Sequence, residues 1–285
     1  VTGIANAMLD SVPMVCITGN VAQGVMGTDS FQEVDILGVT LPLVKHSYLV
    51  RHAADIPAII QEAFHIARSG RPGPVLIDLP KDVQFELTSE PRGLHLPNEI
   101  AVAEPSVIAE AEAAIRAARR PVLYVGGGAK ISGAVEAVRE FAALTGIPQV
   151  STLNALGSIP TGQDNYLGML GMHGTPAANE AVQGSDLLIV VGARFDDRAT
   201  GKLAEFAPEA GVIHFDIDPS EIGKLRSVAV GVVGDLKPNL EALNRRLADG
   251  PAIEVSAWAD QWRARSAETQ VRYDAPGDKV YAPAL

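Results

Sequence analysis

Charged side chains that follow a buried strand are where parallel α/β proteins keep their chemistry. This sequence has two such places. Arg194-Phe195-Asp196-Asp197-Arg198 comes directly after the apolar run 187–191 and Gly192, so several charges gather at one strand's carboxyl end. Either they form a ligand site, or they form a salt-bridged surface loop. Asp216 and Asp218, in Phe215-Asp216-Ile217-Asp218-Pro219, end the next apolar run. Acids there suit ribose or adenine contacts; a metal role is disfavoured because no third ligand lies nearby. Asp218 is equally placed to cap the turn at Glu221. Gly126-Gly127-Gly128 follows a third run. It lets backbone approach a pyrophosphate, or it is only a tight strand-to-helix turn. The nicotinamide fingerprint is not met: Ile131 stands where a third glycine or alanine belongs, and no acid closes the segment 149–153. Leu170-Gly171-Met172-His173-Gly174-Thr175 mixes small, soft and polar residues ahead of a helix, with His173 as a base or a hydrogen-bonding group. The other five histidines form no ligand cluster and read as structural, and Cys16 reads as core. There is no Walker loop, no Gly-x-Ser-x-Gly elbow and no spaced metal motif.

Those residues need a scaffold, and the hydrophobic pattern supplies one. Strands are predicted over 14–18 and 75–79, with a helix over 55–69 between them. From residue 106 helices and strands alternate. Helices are predicted over 106–118, 134–145, 176–183 and 238–247, and strands over 122–125, 149–153, 187–192, 212–217 and 228–233. Strands with glycine-rich ends alternating with helices predict a doubly wound parallel sheet. Residues 1–88 form the first domain and 89–104 a linker that holds Pro91 and Pro97; residues 105–248 form the second domain. Residues 249–285 continue as a connector, in which Trp258, Trp262 and Arg265 are spaced for a helix over 256–270.

Composition narrows the function. The 285 residues are 47% hydrophobic, which supports a sizeable core, and their net charge of −11 argues against general nucleic-acid or anionic-membrane binding. One cysteine excludes an internal disulfide framework, and no apolar run reaches the ~18 residues of a membrane helix. The chain opens at Val1 and stops at Leu285 without a leader or terminal signal. The expectation is an internal piece of a longer protein, so a missing targeting segment says little about compartment.

Several motifs, in order along essentially the whole chain, closely resemble the catalytic subunit family of acetohydroxyacid synthase (acetolactate synthase), isozyme II type. They are Gly27-Thr28-Asp29-Ser30-Phe31-Gln32-Glu33, Ser69-Gly70-Arg71-Pro72-Gly73-Pro74-Val75, Leu79-Pro80-Lys81-Asp82, Met169 to Thr175, and Val191 to Arg198. The closing Arg272-Tyr273-Asp274-x-Pro276-Gly277-Asp278 is similar to the FAD-containing biosynthetic branch. The resemblance implies a thiamine-diphosphate-enzyme fold: part of a pyrimidine-binding domain, then a doubly wound central FAD-binding domain. The activating glutamate is then expected upstream of Val1, and the motif holding Mg2+ and diphosphate beyond Leu285. The family condenses a pyruvate-derived two-carbon unit, carried on thiamine diphosphate, with pyruvate or 2-ketobutyrate in valine, leucine and isoleucine biosynthesis.

By this resemblance Arg198 grips the second ketoacid's carboxylate, with Asp197 orienting it. Phe31 and Gln32 line the active site from a neighbouring subunit, and Lys81 stands at the channel mouth. Arg71, Gly127, Thr152, Leu153, Leu170, Gly171, Met172, His173, Gly192, Ala193, Arg194, Phe195, Asp196, Asp216, Ile217 and Asp235 match flavin contacts, and Met172 also lines the catalytic site. The FAD is structural in the overall reaction. Partners implied are a second copy, because family sites form between two chains, and a small regulatory subunit; the compartment implied is the bacterial cytoplasm, or a plastid. Asn20, Ala22 and Ser30 depart from the family's common Gln, Pro and Ala, which touches the site entrance. Competing readings are another thiamine enzyme, such as a pyruvate oxidase or glyoxylate carboligase, and a non-catalytic nucleotide-binding module. The Phe195 to Arg198 run beside Met172-His173 favours the carboligase. The 285 residues alone are expected to lack synthase activity.

Overall fold

A computed structural model of the chain describes residues 1–88, 93, 96 and 100–269. It divides into two units, Val1–Glu99 and Ile100–Leu285.

In the first unit, helix α1 (Thr2–Leu9) precedes strand β1 (Met14–Asn20), the short helix α2 (Ile36–Thr40) and strand β2 (His46–Leu49). Helix α3 (Ile56–Arg68) then leads into β3 (Pro74–Pro80). The three strands are parallel, in the order β1-β3-β2. The central strand β3 is almost wholly buried, which is why it reads as one apolar run. Helix α3 closes one face by placing Ala63 and Ala67 against Val75 and Ile77.

The second unit begins with α4 (Pro105–Ala117) and β4 (Pro121–Val125), followed by α5 (Gly128–Ile131), α6 (Val135–Thr145), β5 (Gln149–Ser151) and β6 (Tyr166–Met169). Then come α7 (Pro176–Gln183), β7 (Leu187–Val191), α8 (Asp197–Thr200), β8 (Gly211–Asp216), β9 (Val230–Val233), α9 (Leu236–Asp249) and α10 (Ser256–Thr269). All neighbouring strands pair in parallel, in the order β6-β5-β4-β7-β8-β9. That is the doubly wound order, with the direction of winding reversing between β4 and β7. Both sheet faces are covered. Leu123, Val125, Ile189 and Val191 point to the layer of α4, α6 and α9, while Val122, Tyr124, Leu188 and Val190 point to that of α7 and α10. Burial on both faces replaces the usual polar alternation with continuous Val/Leu/Ile runs.

Two sequence boundaries shift. Residues 100–103, assigned to the linker, are tied to the second unit. The Asp235 carboxylate accepts from the Ala101 N–H at 2.8 Å, and the Asn239 side-chain oxygen accepts from the Ala103 N–H at 2.9 Å. Helix α10, assigned to a connector, also belongs there. Trp258 and Trp262 are buried edge to face, and the Trp258 indole N–H donates to the Pro121 carbonyl at 3.0 Å. Two large aromatic surfaces removed from water outweigh what the sparse helix pattern suggested. Most of 89–99, the predicted helix end at Gln270 and the Arg272 to Asp278 motif lie outside the described residues. Among the described residues, no helix is long and apolar enough to cross a membrane.

Candidate functional site

Every strand of the second unit ends, on its carboxyl side, in residues that the resemblance assigns to a flavin. Gly127 follows β4, Thr152 and Leu153 follow β5, and Leu170 to His173 follow β6. Gly192 to Asp196 follow β7, Asp216 and Ile217 lie at the end of β8, and Asp235 follows β9. The fold brings this set to one edge of one sheet, the edge at which doubly wound sheets bind ligands.

At the switch point the backbone itself is the packing surface. The Gly126 N–H donates to the Val191 carbonyl and the Gly128 N–H to the Gly192 carbonyl, both at 2.9 Å. Gly192 has φ +61°, and a Cβ there would lie 2.7 Å from Gly128 Cα. Two strand ends therefore touch with no side chain between them.

The loops beyond are cross-braced. Gly171 has φ +96°, and a Cβ there would lie 2.9 Å from Ala199 Cα. The next residue, Met172, donates its N–H to the Arg198 carbonyl at 2.9 Å. Asp196 caps α8: its Oδ1 accepts from the Arg198 N–H at 3.1 Å and from the Ala199 N–H at 3.3 Å. The Arg198 backbone is thus held at both its N–H and its carbonyl, while its side chain is 75% exposed. Asp197 Oδ2 lies 3.9 Å from Arg198 Nε, a loose ionic neighbour of the guanidinium. His173 is exposed beside Met172, and Leu153, just after β5, is 69% exposed.

Beneath this edge the support is aromatic. The Phe195 ring is buried against Tyr124, Phe206 and His214, with centroids 6.0, 6.2 and 5.6 Å apart. Its side chain is core, so only its backbone is left to face a ligand. Tyr124 donates its O–H to the Arg194 carbonyl at 3.2 Å, and burial pushes its phenol up from the ordinary range. His214 is buried with Nε2 2.9 Å from the Ala193 carbonyl oxygen and 3.8 Å from Asp216 Oδ2. Burial raises the Asp216 carboxyl above its ordinary value, while the Asp218 N–H, donating to it at 2.9 Å, and His214 pull the other way. Asp218 itself accepts from the Ser220 N–H and hydroxyl at 2.9 and 2.7 Å, closing the turn before Glu221. That is its capping role.

In the first unit, the Glu33 carboxylate bonds the Gly27 N–H and, at 3.1 Å, the Ser30 N–H. This ties down a loop that presents Phe31, 88% exposed, and Gln32, which has φ +65°. Lys81 is exposed just after β3, its N–H donating to the Asn20 carbonyl at 3.0 Å. Arg71 follows α3 and donates from Nε to the Ser11 hydroxyl at 3.0 Å.

Sequence reasoning missed two polar residues. Asp78, buried in β3, accepts from the Thr18 hydroxyl at 2.8 Å and from Asn20 Nδ2 at 2.6 Å. The signal was an acid inside an otherwise apolar strand. Asn179, in α7, pairs its side-chain amide with the Gly171 backbone. Among the described residues, no group of three or more His, Cys, Asp or Glu is placed to hold a metal ion.

Residues 108–243 match the family described as thiamine pyrophosphate enzyme, central domain. Along 286 residues the chain is 50% identical to the acetolactate synthase isozyme 2 large subunit of Escherichia coli (strain K12), covering 100% of this chain and 51% of that protein. It is 54% identical over 265 residues to an acetolactate synthase of Mycobacterium bovis, covering 90% and 43%. It is 45% identical over 295 residues to the chloroplastic acetolactate synthase 2 of Nicotiana tabacum, covering 98% and 43%. The chain spans about half the length of these relatives.

Proposed function

We propose that this chain, which belongs with the acetolactate synthase large subunits and carries a thiamine-enzyme central domain, holds an FAD along its six-stranded sheet and grips a ketoacid with Arg198. In the intact enzyme the reaction is the condensation of a pyruvate-derived two-carbon unit with pyruvate or 2-ketobutyrate, a transferase step of branched-chain amino-acid synthesis. The observation that carries the reading is the Met172-to-Arg198 backbone bond, which makes the flavin-matched loop and the ketoacid-matched arginine one piece of structure.

The residues fit a flavin dinucleotide. The Gly128–Gly192 contact keeps side chains out of the switch point, and Asp216 supplies an acceptor suited to a ribose hydroxyl. Gly127, Thr152, Leu153, Leu170 to His173, Gly192 to Asp196, Asp216, Ile217 and Asp235 would line it. Arg198 would bind the second ketoacid's carboxylate through paired N–H donors and so orient its carbonyl for attack. Met172 would line the ketoacid site beside Arg198, while by the resemblance Phe31 and Gln32 would line a neighbouring subunit's site and Lys81 would stand at a channel mouth. Thiamine diphosphate supplies the carbanion chemistry when bound.

The 285 residues by themselves are proposed to be inactive, because Gln32 is uncharged and Asp216 and Asp218 belong to the flavin edge. Relatives named as large subunits support a small regulatory partner, and the enzyme is read as a homodimer or larger. The bacterial relatives support a cytoplasmic location, with a plastid as the alternative suggested by the chloroplastic one. The test is titration of FAD against the 285-residue chain, followed by flavin fluorescence. Saturable binding is expected; none at high micromolar protein would sink the flavin assignment.

A further inference from the structure

We infer that Asn179 is a positioning residue for the flavin-facing loop, an inference that rests on the flavin reading above. Its side-chain Oδ1 accepts from the Gly171 N–H at 2.8 Å, and its Nδ2 donates to the Gly171 carbonyl at 3.0 Å. One primary amide thus satisfies both backbone groups of a single residue, as a paired strand would. That residue is a glycine at φ +96°, a backbone conformation its neighbours would rarely adopt.

The arm that carries Asn179 is rigid. Thr175 caps α7 by accepting from the Ala178 N–H at 3.2 Å and anchors it by donating to the Leu167 carbonyl at 2.6 Å. Ala177 and Ala178 are buried beside it. On the far side of Gly171, the Met172 N–H reaches the Arg198 carbonyl. Asn179 therefore sits at the start of a chain of contacts running through Gly171 and Met172 to the Arg198 turn. Nothing in this geometry requires Asn179 to touch the flavin; it acts by keeping the loop in the competent shape before the ligand arrives. A loop competent only a tenth of the time binds about tenfold more weakly.

The test uses the 285-residue chain with FAD itself as the probe. Asn179→Ala is expected to weaken FAD binding about tenfold, to alter the visible circular dichroism of the bound flavin, and to speed amide exchange at Gly171 in the free chain. Asn179→Asp keeps the acceptor but sets a carboxylate against the Gly171 carbonyl, so a smaller loss of about threefold is expected; it also serves if the alanine variant does not fold. Ser185→Ala removes a hydroxyl that donates to the Val182 carbonyl just beyond the other end of α7. It should lower the unfolding temperature and leave FAD affinity and the dichroism alone. Wild-type affinity in both Asn179 variants, or losses that merely follow unfolding temperature as in Ser185→Ala, would overturn the positioning role and leave the flavin reading standing. A wild-type chain without saturable FAD binding would overturn the flavin reading, and the positioning role with it.

Discussion

Met172 and Arg198 are joined through their backbones, N–H to carbonyl at 2.9 Å, although 26 positions separate them in the sequence. Their side chains are both largely exposed, so the bond fixes where two free side chains begin without limiting what they can reach. Should Arg198 bind a substrate carboxylate, it would do so from a backbone held at both its N–H and its carbonyl.

Replacing Arg198 by alanine in the intact enzyme should therefore remove a binding contact and leave the fold unchanged. A charge-assisted pair with the second ketoacid's carboxylate is worth roughly 1.5–3 kcal/mol, or about one to two powers of ten in the step that uses it. The first decarboxylation should be spared. Measuring the split of product between acetolactate and acetaldehyde decides it, since unchanged partitioning would mean that Arg198 does not hold the second ketoacid.

Gly192→Ala should destabilise the second unit through backbone collision alone. The new Cβ would lie 2.7 Å from Gly128 Cα, on a residue with φ +61°. Overpacking plus a left-handed L-residue costs about 2–4 kcal/mol. Urea unfolding followed by circular dichroism should show the midpoint falling, whereas Gly133→Ala, where a Cβ meets nothing within 4 Å but φ is +66°, should lose only the conformational part, about 1–2 kcal/mol. Equal losses at the two positions would exclude the collision as the cause.

The sheet was legible where burial was complete. Strands β4, β7 and β8 are covered on both faces and announce themselves as apolar runs. Strand β2 was not seen, because His46 and Ser47 put a polar residue on each of its faces and it is only partly buried. Strand β6 was hidden by Gly168 at φ +101° and by the irregular register between Gln149 and Ser151. At the site, the clustered charges 194–198 could be read as lying at a strand end, but which of them would face a ligand could not. Phe195 turned inward because the space beside Tyr124 and Phe206 takes a ring. The Asn179 clamp left no trace, since a polar residue in a helix's first turns is ordinary unless the loop it meets is known.

Acid should separate Glu112 from the rest of the surface charge. Its two oxygens accept from Arg116 Nε in α4 at 2.9 Å and from Arg246 Nε in α9 at 2.7 Å. The Arg116 hydrogen bond first, and then Arg246, hold its carboxyl below the usual glutamate value. A lowered carboxyl stabilises the fold fully above the unfolded value of about 4.3, and the benefit is lost as pH falls through the folded value. Glu112→Gln should thus cost about 0.5–1 kcal/mol at pH 7 and pH 5 and progressively less below pH 4. Chemical denaturation of both proteins at each pH tests it; a difference that stays constant down to pH 3 would mean the loss is not ionic.

Asp216 should behave in the opposite sense, and this distinguishes a residue kept for a ligand from one kept for the fold. Its carboxyl is raised mainly by burial, so in the folded chain the charged form is disfavoured relative to the unfolded one. The sign follows from proton linkage: the folded state holds its proton more tightly, so stability declines as pH rises from the unfolded carboxyl value through the folded one. Asp216→Asn removes the buried charge and keeps an oxygen to accept the Asp218 N–H. Without flavin, the variant should be more stable than wild type at neutral pH, with the advantage shrinking as pH falls and the native carboxyl protonates. With flavin, the order should reverse, because an amide accepts a ribose hydroxyl less strongly than a carboxylate does. Urea unfolding with and without saturating FAD measures both halves. A variant less stable than wild type at pH 7 in the absence of FAD would show that the bond from Asp218 outweighs burial, and Asp216 would then be a structural residue of the β8 end.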